Sequence, residues 1–183
     1  MNNPEMDEPD KSNWIRSALA QHEVSLLRYA VSITGDPERA RDVVQDTFLR
    51  LWSEDPVRLN GCLAEWLFTV CRHRAIDVQR KENRMTALTD IDLETCASQE
   101  PDPAKAAEQS ESAHDVLRLL DALPSNQREV IRLKFQKGLS YQEISRITSL
   151  TVTNVGFLLH TGLKTLRARL KAEDRQPLSP NTP

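Results

Sequence analysis

"SYQEISRITSLTVTNVGFLLHTGLKTLRARL", residues 140–170, decides how this chain is read. Ser140 and Glu143 form the S-x-x-E pattern in which a hydroxyl and a carboxylate satisfy the open backbone groups of a first helical turn, so a short helix is predicted from Tyr141 to Thr148. Thr151 then opens a longer helix. A short helix, a tight turn and a longer helix make a helix-turn-helix pattern, whose second member enters the major groove when the motif reads DNA. Two features are odd for a reading helix: its front half holds no Lys or Arg, and Gly156 and Gly162 interrupt it.

A glycine inside a helix costs roughly 0.5–1 kcal/mol against alanine, so these two are expected to serve close approach, either to a DNA backbone or to a packed neighbour. Thr153 and Asn154 stand at the helix front, where a hydroxyl and an amide reach base edges or phosphates. Phe157 suits a thymine methyl, and His160, Thr161 and Lys164 follow on the same side at spacings of three and four. Lys164, Arg167 and Arg169, with Arg146 and Lys137, offer phosphate attraction. The competing expectation is that Phe157, Leu158 and Leu159 are core and that little is read.

Upstream of this motif, "LRLLDALP" ends a helix, Ser125 or Asn126 is placed to cap "QREVIRLKFQK", and Gly138 closes that element. Before it, residues 86–115 carry eight acids against Lys105 alone, with two prolines and few large apolar side chains. Such a segment cannot bury enough surface to fold by itself and reads as a flexible acidic linker. The net charge of -3 therefore hides two mildly basic bodies joined by an acidic strap.

The first body is helical throughout. Ser12 or Asn13 can cap a helix with apolar positions Ile15, Leu19, Leu26, Leu27, Ala30 and Ile33, and Gly35, Asp36 and Pro37 end it and start the next. Ala40, Val43, Val44, Thr47, Phe48, Leu51 and Trp52 form its inward stripe. After the interruption "SEDPVRLNG" a third helix runs from Leu63 through Trp66, Leu67, Val70, Cys71, Ile76 and Val78 to a basic end. No strand-like alternation appears, so the expected fold is all-α: two small helical domains at 12–85 and 116–173, the linker at 86–115, and disordered ends at 1–11 and 174–183.

Opposite the stripe of the second helix, Asp42, Gln45 and Asp46, continued by Leu49, form one exposed, partly acidic face. It is either a solvated surface or a docking edge for a basic partner helix. In the third helix Trp66 and Phe68 precede Arg72, Arg74, Arg80, Lys81 and Arg84. Aromatics that stack on unpaired bases and cations that hold phosphates are the equipment of single-strand binders, but a core Trp with a solvated basic end fits the pattern equally. Cys71 and His73, two apart on a helix, point to different sides and do not suit one metal ion. Cys62, Cys71 and Cys96 form no CxxC pair, and no GxSxG, HExxH or phosphate-cradling glycine loop occurs, so neither metal, cofactor nor enzyme is expected. The start lacks the basic and apolar parts of a signal peptide and no stretch reaches the roughly 20 apolar residues of a membrane span, so no membrane insertion and a cytoplasmic address are expected.

"DVVQDTFLRLW", "EWLFTVCRHRAID" and "LPSNQREVIRLKFQKGLSYQEISRI" together resemble conserved regions two and four of bacterial sigma-70-type initiation factors, specifically the short extracytoplasmic-function group. The resemblance spans most of residues 14–171 and implies a sigma factor that binds core RNA polymerase and promoter DNA. It implies that Asp42, Gln45, Asp46 and Leu49 dock on the clamp helices of polymerase. Around a flipped base of the melted minus-10 element it implies Asn60, Gly61, Cys62 and Trp66, with Arg72, His73, Arg74, Arg80 and Lys81 nearby or on the backbone. At the minus-35 element it implies Thr153, Asn154, Phe157, His160, Thr161, Lys164 and Arg167. Family members are commonly restrained by an anti-sigma protein, a further expected partner. Two departures stand out: members read T-V-[KR]-S-R where this chain has Asn154, Val155, Gly156, Phe157 and Leu158, and His73 replaces a usual Asn. These keep open two alternatives, a stand-alone helix-turn-helix regulator and a polymerase- or anti-sigma-binding protein without promoter readout.

Overall fold

The computed structural model describes residues 8–89 and 118–173; most of the expected linker, Cys96 and both chain ends lie outside them. The elements are helices: α1 (Glu8–Thr34), α2 (Pro37–Trp52), α3 (Leu63–Thr89), α4 (Ser125–Lys137), α5 (Tyr141–Thr148) and α6 (Val152–Glu173), with a helical turn at 118–121. No strand occurs among the described residues, and the fold is all-α. These residues group into two compact units, one of α1 to α3 with 142–149, the other of 118–141 with 150–173.

In the first unit α1, α2 and α3 pack on one another pairwise. α1 begins at Glu8, ahead of the expected Ser12 or Asn13 cap. Pro9 explains the earlier start, because the first helical turn is where a missing backbone N–H forfeits no bond. At the other end, Gly35 takes φ 71°, a left-handed turn that glycine adopts without strain, and its N–H donates to the Val31 carbonyl at 2.9 Å. Asp36 then caps α2, accepting from the N–H groups of Glu38 (2.8 Å) and Arg39 (3.2 Å).

The periodicity places Ala40, Val43, Val44, Thr47, Phe48 and Leu51 inward, and all six are buried. Trp52 departs from that stripe and is 45% exposed, since the final residue of α2 stands about 100° round the helix from Leu51. α1 supplies Ile15, Ala18, Leu26, Tyr29 and Ala30, and α3 supplies Leu67, Phe68, Cys71 and Ala75. Phe68, a candidate for stacking on bases, is 1% exposed and lies 5.2 Å from the Tyr29 ring in a tilted pair. It is core. Each large side chain so buried contributes about 1.5–3 kcal/mol. Burial pushes the Cys71 thiol up to about 12, against the opposing hydrogen bond with Thr47, so it stays protonated and acts as a packing group.

In the second unit α4 packs on α6. The expected side-chain cap on α4 is absent: Ser125 is already helical, and the chain enters through Pro124 (φ -51°, ψ 141°) with no side-chain acceptor. Asp121 gathers Arg132 at 2.7 Å and Arg128 at 3.5 Å ahead of this helix. Val130, Ile131 and Leu133 of α4 are buried, as are Val155, Leu159 and Leu166 of α6. Gly138 closes α4 at φ 66°, as its position in the sequence predicts. α5 has its expected bounds, and Thr151 caps α6 by accepting from the N–H of Asn154 at 3.2 Å. Between them Ser149 takes φ 59°, an unusual conformation for a residue with a Cβ.

Candidate nucleic-acid interface and docking face

The stripe that anchors α2 leaves its opposite side outward. Asp42 and Gln45 are exposed there, and Leu49, one turn on, is 62% exposed. Asp46 is only half-exposed: its Oδ2 accepts from Nε of Arg74 at 2.8 Å and from Nη2 at 2.7 Å. This contact joins two residues that the sequence assigned to different surfaces. The exposed Trp52 and Val57 stand at the end of α2 and just beyond it, and sequence reading missed both. The missing signal for Trp52 was angular, since a heptad-like count puts it in the stripe while a true 3.6-residue period puts it at the edge.

The connection from α2 to α3 is a run of turns rather than an open loop. Ser53 and Glu54 N–H groups donate back to Arg50 and Leu51, Val57 N–H donates to Asp55 Oδ1 at 2.9 Å, and Cys62 N–H donates to Leu59 at 3.1 Å. Buried Leu59 pins the run to the first unit, while Asn60 and Gly61 face solvent and Gly61 takes φ 79°. A side chain at 61 would be strained whatever the space around it. Cys62 is half-buried, its thiol donating to the Arg58 carbonyl at 3.8 Å, and Trp66 is half-buried one turn into α3. Asn60 to Cys62 and Trp66 are therefore neighbours by construction, and Trp66 stays partly exposed where Phe68 does not.

Further along α3, Arg72 is half-buried and His73 exposed. A shallow cleft is lined by Arg74, Asp77, Val78, Arg80, Lys81 and Arg84. Four cations converge there, tempered by Asp77 and by the Asp46 contact of Arg74, which suits a phosphate chain better than a single compact anion.

On α6, Val155, Leu159, Gly162 and Leu166 form the buried stripe, so the positions between them point away from the unit. Thr153, Asn154, His160, Lys164 and Arg167 are exposed, Thr161 is half-buried, and Phe157 is 64% exposed at the middle of the outer face. The expectation that Phe157 is core is overturned; Leu159 is buried and Leu158 intermediate. The two glycines also part company. A Cβ at 162 would stand 2.7 Å from Ile131 Cδ1 and 3.3 Å from Gln127 Cβ, whereas one at 156 would meet only the Tyr141 ring, at 3.6 Å. Gly162 thus serves a packed neighbour, and packing does not require Gly156. Among the described residues no group of three or more His, Cys, Asp or Glu could hold a metal ion, and no helix is long and apolar enough to cross a membrane.

Residues 19–85 match the family Sigma-70 region 2, and residues 113–166 match Sigma-70, region 4. The ECF RNA polymerase sigma factor SigL of Mycobacterium tuberculosis is 31% identical over 160 residues, covering 86% of this chain and 89% of that protein. SigM of Bacillus subtilis, also an ECF RNA polymerase sigma factor, is 31% identical over 150 residues, covering 80% and 86%. Among solved structures, the sigma factor RpoE in complex with the anti-sigma factor NepR from Bartonella quintana is similar with a TM-score of 0.67 at 23% identity, over 87% of this chain and 98% of that one. CnrH in complex with the cytosolic domain of CnrY follows at 0.57 and 24%, over 88% and 90%.

Proposed function

This chain belongs to the sigma-70 family, in its extracytoplasmic-function group, and on that premise we propose how its surfaces divide the work. As a sigma factor it binds core RNA polymerase and directs promoter-specific transcription. The outer face of α2, with Asp42, Gln45 and Leu49, docks on polymerase. The observation that carries this is Leu49: a large apolar side chain left in water amid polar neighbours, on a helix whose other side is fully packed, is what a partner covers. Asp46 acts on the same face and also holds Arg74 in place.

The turns at 53–62 and α3 hold the melted downstream element. Asn60, Gly61, Cys62 and Trp66 surround a base drawn from the stack, offsetting the few kcal/mol that unstacking costs. Arg72, His73, Arg74, Arg80 and Lys81 follow the sugar-phosphate chain. α6 faces the upstream element through Thr153, Asn154, Phe157, His160 and Thr161, with Lys164 and Arg167 on phosphates. In this reading 12–85, carried on to residue 89 by the end of α3, and 116–173 are the two working parts, and the acidic remainder of 86–115 is an anionic tether that runs where nucleic acid otherwise lies. The chain itself makes and breaks no covalent bond, needs no cofactor, and works in the cytoplasm. An anti-sigma protein is a further partner, as it is for the solved sigma factor RpoE.

Run-off transcription with core polymerase on genomic fragments tests the assignment, and the absence of any selective start would end it. Leu49→Ala is expected to weaken binding to core polymerase about tenfold, the loss of a central apolar contact. It should leave duplex binding by the chain unchanged; equal loss of both would break the division of labour. Leu49 is a cleaner probe than Asp46, whose replacement also releases Arg74.

A further inference from the structure

From Ile147 to Leu163 the chain contains no Lys, Arg, Asp or Glu. This interval takes in the first three turns of α6, the part of a recognition helix that meets base edges. The first cation on the outer face is Lys164, about 10 Å along the axis beyond Phe157 at 1.5 Å per residue. Guanine is read chiefly by Arg or Lys reaching O6 and N7 together, and the opening turns of α6 hold neither. What they do present outward is a carboxamide, Asn154, and a phenyl ring, Phe157, one helical turn apart and both exposed.

We propose that the front of α6 reads neighbouring A·T pairs, Asn154 binding adenine and Phe157 packing on a thymine methyl, with guanine left unread at those positions. The proposal rests on the assignment of α6 to the upstream promoter element. The Asn154 carboxamide donates to adenine N7 and accepts from the N6 amino group, a pairing that no other base offers in that arrangement. The Phe157 ring lies at the centre of the outer face, where a groove-inserted helix comes closest to the bases. Side chains three apart on a helix have Cβ atoms about 5–6 Å apart, a spacing that spans adjoining base pairs separated by about 3.4 Å. Gly156 lies between them and adds no side chain of its own. Cations placed only from Lys164 onward then hold the phosphates, so affinity comes from one end of the helix and sequence choice from the other.

The test starts from a genomic fragment on which core polymerase and the full chain start transcription, with its upstream element randomised and the productive templates sequenced. The expected consensus holds adenine and thymine at two adjoining positions and no required guanine there. On that template, 7-deazaadenine for adenine should reduce initiation roughly tenfold with the natural chain and little with Asn154→Ala. Deoxyuridine for thymine, which removes only the methyl, should reduce it about fourfold with the natural chain and not with Phe157→Ala. Both side chains are exposed, so unchanged thermal unfolding of the variants confirms that folding is intact. A guanine consensus at these positions, or variants as sensitive to the modified bases as the natural chain, would overturn the proposal while leaving the sigma-factor assignment standing. Failure to start on any fragment strikes that assignment instead, and the proposal with it.

Discussion

The outer faces of α2 and α6 are built on the same plan and finished in opposite ways. Each is the far side of a helix whose inner stripe is fully packed. On α2 the outer face is partly acidic, and one of its acids is already engaged: Asp46 holds Arg74 of α3, so the proposed docking face and the basic cleft are chemically linked. On α6 the outer face carries no charge for three turns, and its most exposed large apolar residue is aromatic. A linked charged surface responds as a unit when one member changes, while exposed neutral positions on a rigid helix respond one at a time.

The hardest test of that contrast sets two phenylalanines against each other. Phe68→Ala empties a fully buried site against Tyr29 and is expected to cost about 3–5 kcal/mol in urea unfolding. Phe157→Ala should stay within about 0.5 kcal/mol, and a larger loss would mean that its ring is packed after all. The two glycines of α6 give the next largest difference. Gly162→Ala forces the Ile131 terminal methyl to swing aside and Gln127 to give by a few tenths of an ångström, and should cost about 0–2 kcal/mol after the helix gain, whereas Gly156→Ala should be neutral or stabilise by up to about 1 kcal/mol. If Gly156→Ala keeps stability yet weakens duplex binding, that glycine serves approach to DNA.

A double-mutant cycle on Asp46 and Arg74 sharpens the comparison on the α2 side. The pair is half-exposed and screened, so its coupling in stability should be only about 0.2–1 kcal/mol. A much larger coupling would make the contact structural rather than a link between surfaces. Least visible in stability is Lys164→Ala, which is expected to leave unfolding unchanged and to weaken duplex binding alike on all sequences. The salt dependence of that binding should become shallower by about one unit in the log–log slope, and loss confined to one sequence would assign Lys164 to a base instead.

Much of this was legible along the chain. The Asp36-Pro37 start of α2, the Gly138 end of α4, the bounds of α5 and the Thr151 cap all rest on local backbone chemistry that a few adjacent residues specify. The inward stripe of α2 was equally clear, because burial on a regular helix follows its period. Trp52 and Phe68 were read less well, and Phe157 was held between two readings of which the outward one agrees with its exposure, for a shared reason: an aromatic residue is apolar enough for the core and flat enough for a base, and its type does not say which. The angle of each around its helix, set against neighbours far away in sequence, makes that choice.

Sequence alone therefore determined the helices, their order, several of their ends, and an acidic interval between two basic parts, since propensity, capping and charge act over a few residues. Tertiary packing alone decided that Asp46 meets Arg74 across 28 positions, that Gly162 is crowded where Gly156 is not, and that Phe157 faces outward while Phe68 does not. Those outcomes depend on which side of one helix another helix occupies, a relation between distant segments that no local rule contains.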